Sequence, residues 1–123
     1  MTAEEQLLAR YFEAFNRHDL DGVMECFHAM PVIVDSTGAR YAGRDEVQRY
    51  YETSFALFPD ARCDLRLLSG NNGHGVAESL FHGTRPRFGK VIEALGAEVV
   101  EVADGRIKEL RDYHRPLPAP TTA

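Results

Sequence analysis

The stretch RYFEAFNRHDLDGV, residues 10–23, contains the end of one predicted helix and the start of the next. Large apolar side chains recur in and before it at three- and four-residue steps, at Leu7, Leu8, Tyr11, Phe12 and Phe15. This spacing is typical of an amphipathic helix and predicts one over residues 2–17. Asp19 then stands where its side chain can cap the free amides of a second short helix.

The residues up to Pro59 add one strand and one helix. Pro31 is expected to end the second helical region, and the β-branched run 32–34 predicts a short strand that leads into a turn at 36–38. A third amphipathic helix is predicted over residues 44–58, where Pro59 ends it. Three helices therefore precede most of the sheet.

From residue 60 onward the pattern is that of strands, predicted at 62–68, 75–83, 90–102 and 106–114. The turn sequences NNG and ADG predict hairpins, so neighbouring strands are expected to be antiparallel. Helices followed by such a meander predict an α+β fold with the helices on one face of a curved sheet. We assign residues 1–115 to one domain and residues 116–123 to a flexible, proline-rich tail.

Composition limits the classes of function. A chain of 123 residues with 44% hydrophobic and 27% charged residues is typical of one soluble domain, and no membrane span is expected. The net charge of -5, with basic residues scattered among acids, argues against nucleic acid as a partner. Cys26 and Cys63 lack metal-binding spacing and are interpreted as packing residues. The first residues, MTAEEQ, lack the pattern of a secretory signal, so we expect a cytoplasmic location.

Three segments resemble the ketosteroid isomerase-like enzymes: YFEAFNRHDLDGV at 11–23, FPD at 58–60 and DGRIKELRDYH at 104–114. That family includes SnoaL-like polyketide cyclases and limonene epoxide hydrolases. The resemblance implies a cone-shaped, nuclear transport factor 2-like fold, in which three N-terminal helices pack on a curved, mostly antiparallel sheet around an apolar pocket. It also implies a homodimer that pairs through the outer face of the sheet, and no cofactor.

Asp35 is the first candidate catalytic residue. It follows three apolar residues and shares strand parity with Ile33, so its side chain is expected to point into the core. Burial there would raise the pKa of the carboxylate towards the range of a general base, which contributes ~10² to 10⁴ in rate. The alternative is an Asx turn, in which Asp35 accepts hydrogen bonds from the backbone of residues 36–38.

Tyr11, Glu98 and Asp112 complete the predicted catalytic set. Tyr11 lies on the apolar stripe of the first helix, where its buried hydroxyl can donate to an enolate or simply to a core partner. The resemblance matches Glu98 with the second acid of ketosteroid isomerases, a neutral carboxylic acid that donates beside the tyrosine in the worked example of that enzyme. It matches Asp112 with a functional aspartate of the last strand. The alternatives are a solvated or dimer-face role for Glu98 and an ion pair with Arg111 for Asp112.

The aromatic residues are expected to be core or to form a site for a flat hydrophobic ligand. The predicted substrate-binding set is Phe15, Phe27, Tyr50, Phe55, Phe81 and Phe88. His82 and His114 lie near strand ends with no carboxylate at the spacing of metal ligands, so no metal is expected. Limonene-type hydrolases carry an arginine and an aspartate where this chain has Ser79 and Phe81, which argues against their mechanism.

Three functional hypotheses follow. The first is a cofactor-independent enzyme that enolises or isomerises a hydrophobic carbonyl compound, such as a steroid or polyketide, with Asp35 as the base and Tyr11 and Glu98 as enolate stabilisers. The second is an aldol cyclase or epoxide hydrolase that uses Asp35 with Asp112. The third is a binding domain that holds a hydrophobic ligand without turnover.

Overall fold

The first helix, α1 (Ala3–Asn16), begins at a capping box. The Thr2 hydroxyl oxygen accepts the N–H of Glu5, and the Glu5 carboxylate accepts the N–H of Thr2, both at 3.1 Å. The same hydroxyl donates to the carbonyl of Gly70 at 2.8 Å and so ties the helix start to the sheet. The apolar stripe of α1 predicted from the sequence is buried, with Tyr11 5% exposed.

Two further helices complete one layer of this computed structural model, which describes residues 1–118. Helix α2 (Leu20–Glu25) is capped as expected, since the Asp19 carboxylate accepts the N–H of Gly22 at 3.0 Å. Helix α3 (Arg44–Leu57) follows Gly43, whose φ of 91° favours glycine. No helix among the described residues is long and apolar enough to cross a membrane.

Six strands form one curved sheet in the order β2-β1-β6-β5-β4-β3. The pair β1 and β6 is parallel, and every other neighbouring pair is antiparallel. The bounds are β1 (Phe27–Val34), β2 (Arg40–Ala42), β3 (Arg62–Asn71), β4 (His74–Arg85), β5 (Lys90–Ala103) and β6 (Arg106–Pro116). The α+β architecture with three helices on the sheet is confirmed.

The first strand differs most from the prediction. It starts at Phe27 and passes through Pro31, where the sequence predicted the end of a helix. Proline is tolerated there because the pairing of β1 with β6 shifts register between Phe27 and Val32, and the Pro31 carbonyl accepts the N–H of Gly43 at 2.9 Å. The short strand β2 was not predicted.

The last strand runs one residue into the segment assigned to the tail. It ends at Pro116, and the N–H of Leu117 donates to the carbonyl of Glu93 at 2.7 Å. Most of the predicted tail, residues 119–123, lies outside the described residues.

Gly96 allows β5 and β6 to approach closely near the inner face of the sheet. A Cβ atom at this position would lie 2.1 Å from the Tyr113 carbonyl oxygen and 2.6 Å from the Cα atom of His114. No larger residue fits without moving β6. The glycine therefore helps to set where the side chains of residues 112–114 lie.

Candidate functional site

A cavity of about 260 Å³ lies between the helices α1 and α3 and the inner face of the sheet. Most of its wall is apolar or aromatic, and its carboxylate and imidazole groups lie on β5 and β6. The lining residues are Tyr11, Phe12, Phe15, Tyr50, Tyr51, Ser54, Phe58, Cys63, Phe81, Ile92, Ala94, Glu98, Leu110, Asp112 and His114.

Sheet register brings the three ionisable residues of this wall together. Glu98 on β5 pairs directly with Asp112 on β6. Asp112 and His114 are two residues apart on one strand, so their side chains share a face. We call Glu98, Asp112 and His114 the acidic triad.

His114 links the two carboxylates of the acidic triad. Its Nε2 lies 3.1 Å from Glu98 Oε1, and its Nδ1 contacts Asp112 Oδ1. The Ser79 hydroxyl donates to Glu98 Oε1 at 2.8 Å and lies 3.1 Å from His114 Nε2. One ligand atom from each member lies within 4.8 Å of the others, a spacing at which the triad could also hold a metal ion. Each nitrogen of the His114 ring contacts a carboxylate, so hydrogen bonds connect the three side chains in this arrangement.

Burial changes the proton affinity of the triad. Desolvation raises the pKa of Glu98 to about 7, although the charge of His114 and the hydrogen bond from Ser79 oppose the shift. Desolvation alone would lower the pKa of His114, but the hydrogen bond and charge of Asp112 and the charge of Glu98 outweigh it and raise that pKa. The triad can therefore take up or release a proton near neutral pH.

Two tyrosines form a hydroxyl pair on the opposite wall. The oxygens of Tyr11 and Tyr51 lie 2.6 Å apart, and both side chains are almost fully buried. Desolvation raises both phenol pKa values well above the ordinary value, so both stay protonated. Only one of the two protons is used within the pair, which leaves one O–H to donate to a ligand.

Of the four predicted catalytic residues, the cavity brings together Tyr11, Glu98 and Asp112. Asp35 does not line it, which corrects the expectation that this side chain faces the core. Its Oδ1 accepts the N–H of Thr37 at 2.9 Å and that of Ala39 at 3.0 Å, so the Asx-turn alternative describes its geometry. Burial acts in the opposite direction, but these bonds, with that of the Tyr41 hydroxyl, lower the pKa of Asp35.

The predicted aromatic set divides in the same way. Phe15, Tyr50 and Phe81 line the cavity. Phe27 is fully buried behind it and packs on the rings of Tyr11 and Tyr51.

The other two predicted aromatics also lie off the wall. Phe55 stacks on the His18 ring, with 4.5 Å between centroids, and Phe88 is 65% exposed on the connection between β4 and β5. These three placements of Phe27, Phe55 and Phe88 correct the expectation that they touch the ligand.

Sequence reasoning missed His114 and Ser79. The available signal was the D-Y-H sequence at 112–114 on a predicted strand, because alternation places both ends of such a tripeptide on one face. His82 also has carboxylate neighbours, since its ring nitrogens lie 2.8 Å from Asp64 and from Glu93.

Comparison with known proteins gives a consistent result. Residues 8–110 match the family model described as the SnoaL-like domain. No match was found among curated proteins. Solved structures that resemble the chain share its fold at low sequence identity. One is a candidate polyketide cyclase from Xanthomonas campestris pv. campestris, with 21% identity, a TM-score of 0.82 and 90% of each chain covered.

Two other similar structures extend this comparison. IdmH, a candidate polyketide cyclase from Streptomyces antibioticus, is 21% identical with a TM-score of 0.75, and the match covers 90% of this chain and 89% of IdmH. A protein with a ketosteroid isomerase-like fold from Catenulispora acidiphila, solved in complex with trimethylamine, is 14% identical with a TM-score of 0.74, over 86% and 82% of the two chains. The nuclear transport factor 2-like fold expected from the sequence is therefore confirmed.

Proposed function

We propose that this chain, which belongs to the family of SnoaL-like domains, is a cofactor-independent enzyme that moves a proton α to the carbonyl of a flat hydrophobic compound. The observation that carries the proposal is the acidic triad in an otherwise aromatic cavity. An isolated buried charge is costly, so a buried cluster of ionisable groups facing an apolar cavity is a candidate for chemistry.

Asp112 is the member of the triad that accepts the proton in this proposal. Its side chain is 22% exposed, compared with 11% for His114 and 7% for Glu98. His114 holds one of its carboxylate oxygens, and the other has no hydrogen bond among residues 1–118. Glu98, with a pKa of about 7, lets the triad share the proton that Asp112 takes up.

The proposed proton transfer converts the substrate into an enolate. Asp112 takes the α-hydrogen as a proton, the C–H electron pair becomes the carbon–carbon π bond, and the carbonyl oxygen gains negative charge. The free O–H of the pair formed by Tyr11 and Tyr51 donates to that oxygen. In proteins, one such donor contributes ~10² to 10³ in rate.

The fate of the enolate separates isomerisation from cyclisation. Return of the proton to another carbon isomerises the substrate. Attack of the enolate carbon on a second carbonyl forms a carbon–carbon bond, and the alkoxide then takes the proton. We favour cyclisation of a polyketide-like compound, because two of the similar structures are candidate polyketide cyclases. Both routes begin with the same enolisation.

The test is exchange of the α-hydrogens of 1-tetralone in D₂O, followed by NMR. The wild type should accelerate exchange above the buffer rate. Asp112→Asn should lower that acceleration by ~10² to 10⁴, the usual contribution of a general base, and Tyr11→Phe should lower it by ~10². The matched control is Asp45→Asn, on the exposed surface of α3, which should leave it unchanged.

Two results would contradict the proposal. If the wild type does not accelerate exchange above the buffer rate, the proposed enzymatic activity is contradicted. Ligand binding without exchange would then favour the binding-domain hypothesis. If Asp112→Asn keeps full activity, Asp112 is not the base. A 3-keto-Δ5 steroid serves as the second substrate, because its isomerisation by the wild type would favour the isomerase route over cyclisation.

The homodimer remains a proposal as well. Alternation along β4 and β5 places half-buried apolar side chains on the outer face of the sheet, at Val76, Leu80, Leu95, Ala97 and Val99. A second copy would cover this face. Sedimentation equilibrium should show a dimer that Leu80→Lys converts to a monomer.

A further inference from the structure

Three positive side chains lie beside one end of the cavity: Arg85 at the end of β4, Arg87 in the connection that follows it, and Lys90 at the start of β5. The strands that this connection joins contribute Phe81 and Ile92 to the cavity wall. The connection therefore lies just beyond the cavity, at the end opposite to the acidic triad along these strands.

Aromatic rings hold the two arginines in place. The Arg85 guanidinium lies 5.7 Å from the ring centroid of Phe58, which lines the cavity, and 5.5 Å from that of Phe88. The Arg87 guanidinium lies 5.7 Å from the Phe88 centroid. Contact with a ring face leaves the N–H groups at the guanidinium edge available, and that edge matches the two oxygens of a carboxylate.

These three cations have no acidic partner among residues 1–118. Two acids close to this end of β4 and β5 are bound to other groups. The Asp60 carboxylate accepts the N–H of Thr84 at 2.8 Å and its hydroxyl at 2.7 Å. Glu93 contacts His82 at 2.8 Å. In a chain with a net charge of -5, this end of the cavity is thus locally positive and free to bind an anion.

We propose that the substrate carries a carboxylate, which binds Arg85 and Arg87 while the reacting carbonyl lies at the acidic triad. This inference rests on the proposed function. Ser79, beside the triad, and Arg85 are six residues apart on β4, or about 20 Å at the usual rise of a strand. A flat compound of two or three fused rings with a terminal carboxylate spans this distance together with the arginine side chains.

The test compares two ligands that differ only in charge. Anthraquinone-2-carboxylate and its neutral carboxamide are flat and have no α-hydrogen, so calorimetry measures binding without turnover. The wild type should bind the carboxylate about 10- to 100-fold more tightly, the usual gain from charge-assisted hydrogen bonds. The double variant Arg85→Gln/Arg87→Gln should bind both ligands alike. The control Arg66→Gln, on the exposed part of β3, should keep the preference.

The single variant Arg87→Gln covers the case in which the double variant fails to fold, because Arg87 is exposed. It should lose part of the preference for the carboxylate. Equal binding of both ligands by the wild type, an unchanged preference in the double variant or no binding of either ligand would overturn the proposal.

The outcome is separable from that of the proposed function. If the wild type prefers the carboxylate but does not exchange the α-hydrogens of 1-tetralone, the carboxylate site is supported and the enzymatic activity is not. If the wild type exchanges them but shows no preference between the two ligands, the enzymatic activity is supported and the carboxylate site is not.

Discussion

Asp35 directly follows β1, and Asp112 lies on its parallel neighbour β6; each comes after one residue of the pair Val34 and Arg111. Their surroundings nevertheless differ. Asp35 closes a solvent-facing turn, where backbone and hydroxyl donors lower its pKa. Asp112 lines an aromatic cavity, and its carboxylate contacts the ring of His114.

The difference shows what makes a carboxylate suitable for proton transfer. Donors that fully satisfy a carboxylate stabilise its charge and make it a weaker base. The donors in the turn stabilise the charged form of Asp35 in this way. A carboxylate that keeps one oxygen without a donor, in a wall where Glu98 has a pKa near neutrality, can accept a proton and share it.

The test with the largest expected effect removes His114, which links the two carboxylates of the acidic triad. His114→Gln leaves two carboxylates facing each other with little solvent, so the free energy of unfolding should fall by about 3–5 kcal/mol, as when one partner of a buried ion pair is lost. The control is His28→Gln, which removes the pair between His28 and the 88% exposed Asp104 and should cost less than about 1 kcal/mol. Urea unfolding measures both.

Equal losses in the two variants would show that the triad is no more costly to break than an exposed pair. The double variant His114→Gln/Glu98→Gln sharpens the result. It should recover part of the stability, because only one carboxylate then remains at the site.

The second test uses pH, because the two regions should respond in opposite directions. The pKa of Glu98 is raised in the folded state, so its stabilisation is complete below about pH 4.5 and is lost as the pH rises through about 7. His114 acts in the same direction: its raised pKa stabilises the fold below about pH 6.5, and this is lost as the pH rises through the folded-state pKa. The pKa of Asp35 is lowered, so its stabilisation is present above about pH 3.8 and is lost on further acidification.

Urea unfolding between pH 4 and 8 measures the response of the acidic triad, and unfolding below pH 4 measures that of Asp35. Relative to Glu98→Gln, the wild type should lose up to about 3 kcal/mol of unfolding free energy over the first of these ranges, because the pKa of Glu98 is raised from 4.5 to about 7 in the folded state. His114 contacts Glu98 and Asp112, so its own titration overlaps with that of Glu98, and the comparison between the two proteins is more informative than either curve alone. Parallel curves would mean that Glu98 titrates as an exposed acid.

Much of the fold could be predicted from the sequence because its signals are local. The apolar stripe of α1, the Asp19 cap and the NNG and ADG turns each depend on residues close in the chain. The start of β1 could not, because the segment from Phe27 to Pro31 lacks strand alternation and becomes a strand only by pairing with β6.

The site was predictable only in part, because a β-bulge changes the register. Counting from the pair Ala103 and Arg106 would place Glu98 opposite Arg111. The register shift between Glu101 and Val102 instead places it opposite Asp112. Since a shift of one residue turns a side chain to the other face, the contact of Glu98 with His114 could not be read from spacing.

The smallest expected effect lies at Asp35. Asp35→Ala removes the acceptor for Thr37 and Ala39 in an exposed turn, so unfolding free energy should fall by about 1 kcal/mol. Asp35→Asn should lose less, because the asparagine side-chain oxygen makes the same Asx turn. Neither variant should change α-proton exchange of 1-tetralone. If Asp35→Asn slowed exchange as much as Asp112→Asn, the turn would have to open during catalysis, and the two aspartates would act together as the sequence first suggested.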